Sequence, residues 1–309
     1  MSSYAVLFPG QGSQNTEMLS SYSDNSVFRR TIEEASDILG YSLTKTIGDS
    51  QKLNDTLYTQ PIMLAVSVAM WRVWQQKITK LPACTAGHSL GEYTALVSSG
   101  VISFDECLRL VKIRARAMSE AMNGIDGGMA AVIGLESKKI STICNELSCG
   151  DEIIQPVNFN SDSQTVIGGH MSILRNSVER FKEKGAKIVK ILPVSIAAHT
   201  SYMKKCSDVL YKQLINNNLN ESKFPIIHNI DGTSKCAKDD IIDAVCKQVH
   251  SPVMWNESIA NINKLDISIF IEIGPGNVLT GLNKRILKDA QNISISDYKN
   301  IDKALELIL

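Results

Sequence analysis

Residues 85–100 read TAGHSLGEYTALVSSG, and the serine at position 89 has a glycine two residues away on each side. A Gly-x-Ser-x-Gly run between an apolar strand and a helix is the pattern of a nucleophile elbow. The turn is so tight that a side chain at Gly87 or Gly91 collides with neighbouring backbone; glycine removes the collision. Ser89 then stands exposed over a helix N-terminus, where free N–H groups and the dipole favour developing negative charge. Such a serine performs acyl transfer: it attacks a carbonyl, and the resulting oxyanion is held by backbone donors, with the N–H of Leu90 the natural first one. On five residues alone, a plain strand–turn–helix junction is an equal reading.

A second glycine-rich loop, FPGQGSQ at 8–14, also follows an apolar stretch. In a parallel sheet the carboxyl ends of neighbouring strands open onto one crevice. Loops 9–14 and 87–91 are therefore expected to face each other, with Gln11 offering a second N–H. The loop lacks the lysine of GxxxxGK[ST] and the third glycine of GxGxxG, which counts against phosphate binding.

A serine hydroxyl needs a base. Of the five histidines, His199 in LPVSIAAHTSYM follows a strand and opens a helix among small residues, which spacing favours modestly. His88, beside the serine, suits a positioning role, whereas His170, His228 and His250 read as surface or satisfied core. Arg114 lies on a helix whose neighbours at i±3 and i±4 are Leu110, Val111, Ala117 and Met118, so it falls on the buried stripe. A buried guanidinium needs an anion. Either a distant Asp or Glu supplies it, or an anionic substrate does, since the planar fork matches a carboxylate. Arg116, by contrast, belongs to the solvated face.

The elements that must position these residues alternate. Strands are expected at 4–8 and 82–87, with helices at 25–39, 60–77, from Leu90, and at 104–122, a rhythm that implies a parallel sheet covered by helices. After the glycine-rich stretch 123–128 the order becomes βαββαβ through residue 194, the ferredoxin-like pattern. Helix 200–216, strand 224–230, helix 239–249, strand 268–274 and closing helices follow. The expected fold class is α/β, with 1–126 and 197–309 as one unit and 127–196 inserted in it.

Composition narrows the classes. Lys+Arg and Asp+Glu both total 32 in 309 residues, so no net charge points to nucleic acid or a membrane surface. The seven cysteines have no CxxC or Cys/His ligand spacing, which speaks against a metal site or disulfide framework and for a reducing cytoplasm. The N-terminal segment has no signal-peptide pattern, and no apolar run approaches the ~20 residues of a membrane helix.

Taken in order, FPGQGSQ, TQP (59–61), GHSLGEY (87–93), Arg114, PVNFNSDSQTVIGG (156–169), PVSIAAH (193–199), SPVMW (251–255) and IEIGPGNVLTGL (271–282) resemble the malonyl-CoA:acyl carrier protein transacylase family. The resemblance runs from residue 4 to about 285. It implies an α/β-hydrolase-like large subdomain with an inserted ferredoxin-like small one. It also implies Ser89 as nucleophile, His199 as base, Gln11 and Leu90 as oxyanion donors, and Arg114 as the binder of a malonyl carboxylate. The backbone carbonyl of Gln248 would orient His199, with Gln60, His88, Gln164 and Ala198 lining the site. Ala198 stands where the family commonly has serine or phenylalanine, which loosens the pocket wall.

The implied activity moves malonyl from coenzyme A to the phosphopantetheine thiol of acyl carrier protein in fatty acid biosynthesis. The implied enzyme is a separate monomer with no cofactor of its own. Basic segments 180–190 and 283–288 are candidates for docking an acidic carrier. A serine thioesterase or esterase, or a non-catalytic carrier-docking module, is the competing expectation.

Overall fold

A computed structural model of the chain describes residues 2–309. In order along the described residues run β1 (Tyr4–Phe8), α1 (Ser26–Leu39), α2 (Leu43–Ile47), α3 (Ser50–Asn54), α4 (Thr56–Lys77), β2 (Cys84–Gly87), α5 (Gly91–Ser98), α6 (Phe104–Ala121), β3 (Gly127–Ile133), α7 (Ser137–Leu147), β4 (Ile154–Ser161) and β5 (Gln164–His170). Then follow α8 (Met171–Glu183), β6 (Ile188–Ile191), α9 (Lys204–Leu214), β7 (Ile226–Ile227), α10 (Lys238–Gln248), α11 (Trp255–Asn263), β8 (Ile269–Glu272), α12 (Val278–Ile286), β9 (Gln291–Ser294) and α13 (Asn300–Ile308).

The strands form two sheets, a parallel one in the order β7-β2-β1-β8-β9 and an antiparallel one in the order β4-β5-β3-β6. Central strand β1 is buried throughout, as a strand covered on both faces must be. Tyr4, Val6 and Phe8 enter the larger core, where α4 is buried continuously from Thr59 to Trp71; Ala5 and Leu7 enter a second core under α11 and α12. The antiparallel sheet packs one face on α7 and α8. Its other face carries Met129, Ala131, Val157 and Val166 against Leu192, Val194 and Ala198.

Pairing of Phe8 with Gly87 brings β1 and β2 to an end at the same level. The two loops that follow are therefore neighbours, and they touch. A Cβ at Gly91 would lie 2.0 Å from the Phe8 carbonyl oxygen, and one at Gly10 would lie 2.5 Å from that of His88. At Gly87 the conflict is internal to the corner, 1.9 Å from the Gly91 carbonyl carbon.

Several boundaries depart from the sequence reading. Helix α4 starts at Thr56, ahead of the expected Gln60, because the Asp55 carboxylate accepts the Leu57 N–H at 2.9 Å and caps it. Strand β6 ends at Ile191, short of 194: Pro193 cannot extend the ladder, and the chain leaves the sheet. Of the strand expected at 224–230, only Ile226–Ile227 pairs, after which the chain turns back through a His228 N–H to Thr233 carbonyl bond. Strand β9 was not anticipated; at an edge, paired on one side only, the polar QNIS is tolerated. Helix α11 was likewise not anticipated.

Two glycine-to-alanine changes separate close approach from mere flexibility. Gly281 lies in α12 with nothing within 4 Å of a built Cβ, so Gly281→Ala should raise stability by about 0.5–1 kcal/mol. Gly87→Ala should lower it by at least about 2 kcal/mol, since only backbone atoms are available to move. Urea unfolding of both variants checks the pair.

Candidate active site

The corner forced by Gly87 and Gly91 places Ser89 at φ 51°. His199 is also left-handed, at φ 63°, and among the described residues Asp266 alone shares that state outside glycine. Holding a non-glycine residue there costs about 1–3 kcal/mol, a strain that gathers where side chains must be aimed. Here the two strained residues meet: Ser89 Oγ lies 2.7 Å from His199 Nε2. On the far side of the ring Nδ1 lies 2.7 Å from the Gln248 carbonyl oxygen. A carbonyl only accepts, so Nδ1 carries the proton and Nε2 presents its lone pair to the serine hydroxyl. Gln248 is the last residue of α10, where carbonyls have no partner further along the helix.

Burial is the main force holding the His199 pKa down, to about 3, and the Arg114 guanidinium adds to it. The imidazole is therefore a neutral base. Arg114 is 1% exposed. Its Nη1 donates to Gln60 Oε1 at 2.6 Å, its Nη2 to Gln248 Oε1 at 3.1 Å and to Ser89 Oγ at 3.5 Å, and its guanidinium carbon sits 5.2 Å from the centre of the Tyr93 ring. Among the described residues its partners are amides and a hydroxyl; no carboxylate pairs with it, and Nε has no partner. Of the two sequence readings for its anion, the distant Asp or Glu is absent.

These groups open onto one cavity of about 370 Å³ lined by Gln11, Gln60, His88, Leu90, Met118, Asn158, Ala198 and others. Leu90 precedes the first residue of α5, so its N–H has no carbonyl behind it in the helix. The cavity thus joins a serine hydroxyl bonded to an imidazole, the Leu90 N–H and a buried cation, an arrangement chemically able to transfer an acyl group that carries negative charge.

Comparison with known proteins agrees. A family model described as an acyl transferase domain matches residues 6–299. The malonyl CoA-acyl carrier protein transacylases of Salmonella typhimurium and Escherichia coli (strain K12) are 41% and 40% identical to this chain; each comparison covers 99% of it, and 99% and 100% of the relatives. This chain belongs to the malonyl-CoA:acyl carrier protein transacylase family. The solved transacylase of Coxiella burnetii matches with a TM-score of 0.95 at 37% identity, over 99% of this chain and 97% of that one. A malonyl-transacylase in complex with a type II PKS acyl-carrier protein matches at 0.96 and 40% identity, over 99% and 100%.

One lining residue expected from the family motifs lies elsewhere. Gln164 begins β5 at the hairpin end, where its Oε1 accepts from Arg285 on α12, and it does not line the cavity. Asn158, on β4 of the same quoted motif, does. His88 is turned aside: its Nε2 donates to Asn160 Oδ1 at 2.9 Å, and its ring packs on Trp255. In the basic segments, Arg180 and Lys182 pair with Glu146, Glu183 and Glu179.

Sequence reasoning gave no site role to Glu92 or Asn229 and read His228 as surface or satisfied core; all three are at most 1% exposed. The Glu92 carboxylate accepts from His228 Nδ1 at 2.6 Å, from Gln248 Nε2 at 2.8 Å and from the Asn229 N–H at 3.3 Å. The available signal was a carboxylate inside EYTALVS, an otherwise uncharged helix.

The His199 environment ties stability to pH. Its folded pKa lies below the 6.5 of an unfolded histidine, so between those values the unfolded chain binds more protons and stability falls as pH falls. From pH 7 to pH 4, His199 should account for a loss of about 3 kcal/mol. Asparagine accepts the left-handed backbone, so His199→Asn should flatten that part of the slope in urea titrations at the two pH values.

Proposed function

We propose that this protein transfers a malonyl group from coenzyme A to the phosphopantetheine thiol of acyl carrier protein through a malonyl-serine. The observation that carries the reading is the buried Arg114 guanidinium, unmatched by a carboxylate, 3.5 Å from the hydroxyl that His199 activates.

The Ser89 proton passes to His199 Nε2 as Oγ bonds to the thioester carbonyl carbon. The carbonyl oxygen becomes an oxyanion held by the N–H groups of Gln11 and Leu90, which line the same cavity. Collapse breaks the carbon–sulfur bond, and His199 returns its proton to the departing coenzyme A sulfur. In the second half the carrier thiol gives its proton to His199 and its sulfur attacks the ester. The Ser89 oxygen leaves and recovers the proton. Coenzyme A is substrate and phosphopantetheine belongs to the acceptor, so the scheme calls for no cofactor of the protein's own.

Arg114 has two tasks. It holds the malonyl carboxylate by parallel hydrogen bonds and, by fixing the acyl tail, keeps the ester turned from water. The architecture suits the scheme. The parallel sheet and its helices act as an α/β-hydrolase-like subdomain that supplies the elbow. Residues 127–196, whose strand order β4-β5-β3-β6 is that of a ferredoxin-like unit, form the smaller subdomain roofing the cavity. Met129, Leu192, Val194 and Ala198 come from this roof and the irregular segment that leaves it after β6. No helix among the described residues is long and apolar enough to cross a membrane, and we place the reaction in the cytoplasm.

Intact-mass measurement after mixing with malonyl-CoA should find one malonyl group per chain, which added holo-carrier protein removes. Ser89→Ala should carry none; a malonyl adduct in that variant would sink the nucleophile assignment. Arg114→Ala should cut malonyl transfer about 100-fold or more while acetyl transfer from acetyl-CoA changes only a few-fold. Equal losses for the two acyl groups would remove the carboxylate role.

A further inference from the structure

The backbone of the elbow is itself held by side chains from two distant segments. The Ser89 N–H donates to Asn229 Oδ1 at 2.7 Å, and Asn229 Nδ2 donates to the Gly87 carbonyl oxygen at 2.6 Å. A backbone N–H can only donate and a carbonyl can only accept, so the orientation of this amide is determined. One side chain thus spans the corner, gripping the residue that must stay left-handed and the strand end that precedes it. On the other side Gln248 Nε2 donates to the Ser89 carbonyl oxygen at 2.7 Å.

Asn229 is anchored in turn. It is 1% exposed; its N–H donates to Glu92 and its carbonyl accepts from the Met254 N–H at 2.8 Å. It does not line the cavity, so it touches no substrate.

We propose that Asn229 is a positioning residue of the acyl-transfer reaction. By engaging the Ser89 N–H it keeps that donor out of the cavity, leaving the N–H of the next residue, Leu90, to face the oxyanion. By engaging Gly87 it fixes the corner against relaxation toward an ordinary backbone conformation, which would swing Oγ away from His199 Nε2. The proposal rests on the acyl-transfer reading above.

Asn229→Asp is the informative variant. It keeps the shape and the acceptor for Ser89 but faces the Gly87 carbonyl with an oxygen in place of a donor. Pre-steady-state malonylation should slow about 10- to 100-fold with KM for malonyl-CoA unchanged within twofold, because misaiming an attacking atom falls on the chemical step. Phosphonylation of Ser89 by a small fluorophosphonate should slow in parallel. That reagent reports on the corner whatever the natural acyl group is, so failure of the malonyl reading leaves its result intact. Asn229→Ala, which removes both contacts, should slow both reactions at least as much. Far-UV circular dichroism at 25 °C verifies that both variants are folded under assay conditions. Malonylation and phosphonylation within twofold of the parent in Asn229→Asp overturn the proposal, as does a loss that appears wholly in KM.

Discussion

The active centre depends on a backbone that cannot relax. Between Gly87 and Gly91 the chain turns so sharply that no Cβ fits at either end, and the residue between them is held at positive φ. Strain of this kind persists only where the surroundings over-determine it. Here β1 and β2 end level, the loop after β1 packs against the corner, and hydrogen bonds from Asn229 and Gln248 take up the free backbone groups of Ser89. The reward is directional: Oγ lies 2.7 Å from His199 Nε2, while immediately behind it the N–H of Leu90, the residue ahead of α5, has no carbonyl behind it in the helix.

A second constraint is electrostatic. A guanidinium buried without a carboxylate is unfavourable unless an anion arrives. Gln60 and Gln248 supply neutral acceptors that hold the fork in place without cancelling its charge. The same charge, together with burial, keeps His199 unprotonated. In the proposed reaction Arg114 therefore links selection of the substrate to readiness of the base. Gln248 joins the parts: its carbonyl orients His199, its Oε1 accepts from Arg114 and its Nε2 holds Ser89 and Glu92.

How much of this was legible in the sequence depended on whether the cause was local. The Gly-x-Ser-x-Gly corner is a local steric demand, and Arg114 stands out because its helical neighbours are apolar. The βαββαβ order was likewise readable from alternating periodicity. That His199 reaches Ser89 is a consequence of tertiary packing across 110 positions, and spacing alone gave it only a slight edge; the family motifs supplied the rest. Gln164 shows the opposite hazard. It sits within a matching motif, yet its side chain serves Arg285, because position along a hairpin decides which face a residue meets. Asn229 drew no reading, and His228 only that of surface or satisfied core, because their partners Glu92, Ser89 and Gly87 lie more than a hundred residues away in the chain. Strand β9 escaped notice because an edge strand needs no apolar pattern.

The central claim is that a neutral, buried imidazole deprotonates Ser89 in a site made for an anionic acyl group. The most direct measurement is the pH dependence of kcat/KM for acylation by malonyl-CoA, read as the burst of coenzyme A release between pH 5 and 8. With the His199 pKa held near 3, the profile should be flat across that range. A limb centred near pH 6.5, with the rate falling tenfold per unit below it, would show an ordinary solvated imidazole as the base and contradict the account.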